Sequence, residues 1–162
     1  MKLSSLQDLL VEQVQDVYDA ETKLTEALPK MEKAATSLDL KAAFHKHLQE
    51  TKGHVERLEE VFGLLGLKPK KKTCLAMKGL LEEGEETMKE DAEPEVLDAA
   101  LIAAAQRVEH YEMAAYGTMR TYAKLLKETK CEKLFEATLA EEKATDESLT
   151  FLAENMVNLA AV

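Results

Sequence analysis

The sequence predicts an all-α protein, a four-helix bundle made of two helical hairpins joined by a long crossover. Three observations carry that expectation. Apolar residues recur in steps of three and four along four long stretches, and strand-like alternation is absent. The composition is rich in Ala, Leu, Glu and Lys, with six glycines, three prolines and no tryptophan. The chain also matches itself at an offset of 91 residues. With 162 residues, 46% of them hydrophobic, it reads as a single domain able to bury a sizeable core. The expected divisions are a first hairpin over 1–66, a crossover over 67–93 and a second hairpin over 94–162.

The first helix is expected from about Ser5 to Ala35, with a capping box at Ser5 and Asp8 and a stripe of Leu6, Leu10, Val14, Val17, Glu21, Leu24, Leu28 and Met31. Pro29 lies inside it and predicts a bend between Thr25 and Pro29. Ser37 and Asp39 offer caps to a second helix carrying Leu40, Phe44, His47, Thr51, His54, Leu58, Val61 and Leu65, which Gly66 ends. The crossover holds a helical piece from Cys74 to Glu90, with Thr73 as its cap. Pro94 suits the first turn of a third long helix bearing Leu101, Ala105, Val108, Glu112, Ala115, Met119 and Tyr122. Thr129 and Glu132 form a capping box for a fourth, with Phe135, Leu139, Glu142, Leu149 and Ala153 on its stripe.

The internal match pairs Leu10 with Leu101, Val17 with Val108 and Glu21 with Glu112 in the first helix of each hairpin. In the second helices it pairs Phe44 with Phe135, Leu48 with Leu139, Glu50 with Glu141 and Leu58 with Leu149. Two hairpins of equal build joined by one long connection give the ferritin-like bundle topology.

Acids on stripes that otherwise read as core are the chemical signal. An ionised carboxylate buried alone is costly, so several helices aiming acid at one interior imply a shared cation. Carboxylate-bridged dimetal bundles take an acid from each of two helices and an acid with a nearby His from each of the others. The matching set here is Glu21 on the first helix, Glu50 and His54 on the second, Glu109 and Glu112 on the third, and Glu142 and Asp146 on the fourth. His54 follows Glu50 by four residues rather than the usual three, and the fourth helix has no His, leaving Asp146 to supply oxygen or to act through another ligand. The repeat aligns Glu141 with Glu50, whereas the apolar stripe favours Glu142, which is preferred. His47 reads as core or as a support for a ligand, and Tyr18, the repeat mate of Glu109, as a tyrosine packed between helices. His45 and His110 are expected outside the site. Carboxylate oxygen with a little imidazole suits two metal ions of the iron type, with manganese or a mixed pair as alternatives.

The formal net charge of -10 argues against nucleic acid as a partner, and Lys68 to Lys72, around Pro69, reads as a solvated turn. No apolar run approaches the length of a membrane span, and Gln7 and Asp8 interrupt any signal core, so neither membrane association nor export is expected and the location reads as cytoplasmic. Cys74 and Cys131 stand far apart in no CxxC pair, which suggests ordinary buried thiols.

The strings Tyr18-Asp-Ala-Glu21, His47-Leu-Gln-Glu50-Thr, Gln106-Arg-Val-Glu109-His-Tyr-Glu112, Glu141-Glu-Lys-Ala-Thr-Asp146 and Cys74-Leu-Ala-Met-Lys-Gly-Leu resemble the YciE/YciF family of bacterial stress-associated proteins. The resemblance spans nearly the whole chain and implies a rubrerythrin-like dimetal bundle, assembled as a homodimer, without implying a reaction. Two functions follow as expectations. One is a di-iron site reacting with oxygen or peroxide and reduced by an external electron donor, since no CxxC module follows the bundle. The alternative is a non-enzymatic stress protein whose metal stabilises the fold while its surface binds a partner. Facing acids would take up protons without metal, so metal is expected to raise thermal stability, most near neutral pH.

Overall fold

The computed structural model describes residues 3–162, and its described residues form helices and connections with no strand. Four long helices build the bundle: α1 (Leu6–Ala34), α2 (Leu38–Leu64), α4 (Pro94–Leu125) and α5 (Thr129–Leu152), with the crossover helix α3 (Leu75–Thr87) between the hairpins. One turn of π-helix, Ala153–Val157, and a short turn, Asn158–Ala160, follow α5. Helices α1 and α2 pack as one hairpin and α4 and α5 as the other; α2 then meets α5 and α1 meets α4, while α3 lies against α4 and α1.

Local sequence accounts for most of the helix ends. Ser5 Oγ accepts from the Asp8 amide at 3.1 Å, while Asp8 reaches back to the Ser4 amide at 2.9 Å. The Ser37 hydroxyl caps α2 by accepting from the Leu40 amide at 3.3 Å. Gly66 ends α2 at φ +71°, a left-handed conformation that glycine adopts without steric cost, and the Leu67 amide closes onto the Phe62 carbonyl at 2.8 Å. Pro94 opens α4 as its first residue, where its missing N–H costs nothing.

Two local expectations change. The cap of α3 is Cys74, not Thr73: its sulfur accepts from the Met77 amide at 3.4 Å, and the helix stops at Thr87 rather than Glu90. Thr129 is already inside α5, whose cap Glu128 makes no side-chain capping bond, so the Thr129–Glu132 box is not used. The reason is the tight exit from α4, where Lys127 takes φ +63° and the chain re-enters a helix one residue early. Pro29 sits within α1, which runs unbroken through it to Ala34.

The basic run is pinned to α1. The Lys72 amide donates to the Gln15 carbonyl at 3.1 Å, its ammonium pairs with Glu12, and Lys71 lies 5.8 Å from the centre of the Tyr18 ring. The Cys74 amide then donates to Asp19 at 2.8 Å. At the hairpin turn, buried Asp98 at the start of α4 accepts from the Thr36 amide at 2.7 Å, the Thr36 hydroxyl at 2.6 Å and the Ser37 amide at 2.7 Å, tying the first hairpin to the second.

The core is divided in two. One apolar layer contains Leu24, Leu28, Met31, Leu40, Phe44, Leu101, Ile102, Leu149 and Leu152. The other contains Leu10, Val14, Val17, Leu58, Val61, Phe62, Met119, Phe135 and Leu139. Between them, at mid-bundle, each long helix turns a polar group inward: Glu21 from α1, His47, Thr51 and His54 from α2, Glu109 and Glu112 from α4, Thr138, Glu142 and Thr145 from α5.

Candidate metal centre

Glu21, His54, Glu112 and Glu142 are all 0% exposed, and His47 and Glu109 only 3% and 1%. Their ligand atoms form two overlapping groups, one of His47, Glu109, Glu112 and Glu142 and the other of Glu21, His54 and Glu142, with the atoms of each group within 4.8 Å of one another. Glu142 belongs to both. His47 Nε2 lies 3.1 Å from Glu109 Oε1, and His54 Nδ1 lies 3.0 Å from Glu142 Oε1 and 3.4 Å from Glu21 Oε1.

Buried polar atoms in folded proteins are almost always hydrogen-bonded. Among the described residues, nine buried side-chain oxygens and nitrogens lack a hydrogen-bond partner, and all nine lie on Glu21, His47, Glu50, His54, Glu109, Glu112 and Glu142. His54 Nδ1 is among them because its approach to Glu142, though short, lacks the alignment of a hydrogen bond. Both oxygens of Glu112 and both of Glu142 are unpartnered. Lone pairs converging on one dry space and left unused are what a cation requires, so the buried His and Glu residues could hold a metal ion.

Without a cation, protons fill that role. Burial pushes Glu112 well above the usual carboxylate range, aided by the charges of Glu142, Glu21 and Glu109. Burial likewise raises Glu142 to about 8, against the opposing pull of the neighbouring His54. Burial alone would lower both imidazoles, but Glu109 and Glu50 raise His47 to about 10, and Glu142 and Glu21 raise His54 to about 11. Tyr116, one turn after Glu112, donates its buried hydroxyl to Glu21 Oε1, and its ring stacks edge-on against His54 with centroids 6.3 Å apart.

The structure brings five of the seven sequence-derived candidates together: Glu21, His54, Glu109, Glu112 and Glu142. It places the other two elsewhere. Glu50 stands at the edge, 23% exposed, with Oε1 on Lys46 at 3.0 Å and Oε2 3.9 Å from His47 Nδ1, so it backs His47 instead of joining the ligand atoms. The nearby His47 and the Lys46 ammonium hold its carboxyl down at about 2. Asp146 faces away, 3.2 Å from His110 Nε2 and 3.1 Å from Gln106 Nε2. Glu141, the rival of Glu142, lies at the surface in a two-bond pair with Arg57 and touches His54 from outside.

Two residues were not anticipated. His47 enters the cluster as a ligand-type group, and the signal was its place on the α2 core stripe seven residues before His54, two turns along the same face. Tyr116 lies four residues after Glu112, again on one face. Tyr18, as expected, is half-buried between helices, edge-on against Phe62 with centroids 5.5 Å apart, and donates to Glu59 at 2.8 Å. Cys74 and Cys131 are buried free thiols in the apolar layers and contribute nothing to the cluster.

No described helix is long and apolar enough to cross a membrane. Residues 5–162 match the domain of unknown function DUF892. The chain is 48% identical to Protein YciF of Escherichia coli strain K12 over 159 residues, covering 98% of this chain and 96% of that one. The crystal structure of that stress protein matches with a TM-score of 0.93 over 96% of this chain and 99% of its own. YcfI of Rhodopseudomonas palustris matches at 43% identity with a TM-score of 0.90, over 92% of this chain and 95% of that one. A Xanthomonas campestris protein at 19% identity, with a TM-score of 0.75 over 97% of this chain and 96% of its own, shares the fold. The chain therefore belongs to the DUF892 family, the family of YciF-like proteins.

Proposed function

We propose that this chain binds two divalent cations, iron first and manganese second, in the mid-bundle cluster, and that the loaded protein reduces dioxygen or peroxide with electrons from an external donor. The observation that carries the reading is the confinement of every unpartnered buried side-chain atom among the described residues to this cluster and its edge. Glu142, common to both groups, would be shared by the two ions, with His47, Glu109 and Glu112 holding one and Glu21 and His54 the other. A donor set of oxygen and imidazole without thiolate suits iron and manganese better than a structural zinc. When bound, such a pair would supply redox chemistry toward dioxygen or peroxide.

The residues around it do the rest. Tyr116 fixes the rotation of Glu21 through its hydroxyl. Thr51 turns its hydroxyl to the His47 carbonyl at 2.9 Å and so presents no competing donor to the ligands. The apolar layers on either side exclude bulk water and strengthen the electrostatics between them. The same enclosure supports a second reading, a metal that stabilises the bundle of a non-enzymatic stress protein, because four of the cluster residues have no exposure at all.

Metal analysis on protein purified without chelator, beside a Glu21→Ala, Glu112→Ala double variant, tests the binding. About two ions per chain, lost in the variant, are expected; a wild-type protein that neither carries nor takes up Fe(II) or Mn(II) sinks the reading. Peroxide consumption by the iron-loaded protein separates the two roles. A rate no faster than free iron leaves only the stabilising one.

A further inference from the structure

The two imidazoles face the cluster through different nitrogens. His47 presents Nε2 and turns Nδ1 back toward Thr145 Oγ1 at 3.4 Å and Glu50 Oε2 at 3.9 Å. His54 presents Nδ1 and turns Nε2 outward to Glu141 Oε2 at 2.8 Å. Glu141 cannot drift, because Arg57 grips both of its oxygens, at 2.5 Å and 2.8 Å, while also donating to Thr138 Oγ1 at 3.2 Å. His54 is thus backed by a clamped anion, and His47 by a hydroxyl and a distant carboxylate.

A neutral imidazole carries one N–H, and an ionised carboxylate can only accept. Whenever His54 is neutral, Glu141 therefore draws the hydrogen to Nε2 and leaves the Nδ1 lone pair facing Glu21 and Glu142. Such outer partners orient a metal-bound imidazole and raise its basicity.

Resting on the dimetal reading above, we propose that Arg57 and Glu141 are positioning residues that make the second of two unequal cation positions. The His47 position draws on four residues and fills first. The Glu21–His54 position draws on three, shares Glu142 with its neighbour, and depends on the surface ion pair for the correct imidazole nitrogen. Both partners are about one-third exposed, at 30% and 32%, so they can be replaced without opening the core.

Cobalt(II) titration of the full chain, read by visible absorption and by bound-metal analysis, tests this in wild type, Glu141→Ala, Glu141→Gln and Arg57→Ala. The wild type is expected to bind in two steps. Glu141→Ala keeps the first step and weakens the second about 10–100-fold. Glu141→Gln, whose amide oxygen still accepts from Nε2–H, recovers most of the second step and its absorption bands, and Arg57→Ala falls between the two. The proposal is overturned if Glu141→Ala binds both ions as the wild type does, if it weakens both steps equally, or if Gln rescues nothing. A wild type that takes up no cobalt overturns the dimetal reading and this inference with it, whereas a wild type with two steps unaffected by Glu141→Ala overturns this inference alone.

Discussion

Tyr116 on α4 donates its hydroxyl across the bundle to Glu21 on α1, and both side chains are fully enclosed. Removing one partner of a buried hydrogen bond leaves the other unsatisfied, at a cost of about 1–3 kcal/mol. Tyr116→Phe is therefore expected to destabilise the metal-free protein by about that amount, and the metal-loaded protein by less, because a cation satisfies Glu21 instead. Urea unfolding with and without Mn(II) checks it; equal losses in both states would separate Tyr116 from the cluster.

The pH dependence of the metal-free protein follows from the raised groups. A group whose folded pKa exceeds its unfolded value stabilises at low pH and loses that contribution as pH climbs through the folded value. Glu142, moved from 4.5 to about 8, and the two histidines, moved from 6.5 to about 10 and 11, all have this sign. The melting temperature without metal should fall from about pH 4.5 to about pH 11, most steeply between 6.5 and 8 where all three groups contribute, and saturating Mn(II) should remove most of the fall. The stabilisation by metal thus grows above neutral pH rather than peaking there, since the ligands still hold protons at pH 7. Melting curves across that window decide it, and a flat metal-free profile would refute it.

Metal uptake must release those protons. His47, His54 and Glu142, raised to about 10, 11 and 8, must each give up a proton to bind, and Glu112 is pushed the same way. Addition of Mn(II) to weakly buffered protein at pH 7 should therefore acidify the solution by more than one proton per ion, as read by pH-stat.

Glu112 offers the cleanest separation of fold from ligand. Because burial and the facing acids push it toward the protonated form in the metal-free protein, Glu112→Gln replaces it with a neutral group of the same shape. The metal-free melting temperature should stay the same or rise, while bound metal falls below the wild-type ratio. A large loss of metal-free stability would mean that Glu112 is ionised there after all.

Asp98 lies apart from the cluster and accepts three hydrogen bonds from the turn between α1 and α2. Asp98→Ala should cost about 3 kcal/mol in unfolding measurements, since two backbone amides lose their acceptor, and leave metal content unchanged. Loss of metal along with stability would show that hairpin docking and the cluster are coupled.

The bundle was legible because apolar spacing at 3.6 residues per turn is written along every long helix, and the repeat fixes which hairpin is which. Glu21, Glu112 and Glu142 were legible for the same reason, each standing where its helix otherwise buries carbon. Glu50 and Asp146 were harder, because spacing of three or four defines a face only broadly. At about 100° per residue, each lies roughly 60° from the middle of the buried polar face of its helix. That rotation separates a residue of the buried cluster from one at its edge. His47 was discounted although it shares that face, since a lone imidazole among leucines has no sequence mark to distinguish packing from ligation. The caps of α3 and α5 depended on where the connections land, which neighbouring helices decide.

The internal repeat gains a different meaning once the side chains are placed. Ninety-one residues beyond His47 stands Thr138, beyond Thr51 stands Glu142, and beyond His54 stands Thr145. A bundle assembled from two identical hairpins would be obliged to set every inward residue twice, and both halves of its centre would be alike. Carrying both hairpins on one chain lifts that obligation: imidazole can be confined to α2 and the shared carboxylate to α5. Inequality at the centre is thus something that only covalent joining permits, and the long crossover is the segment that makes it heritable.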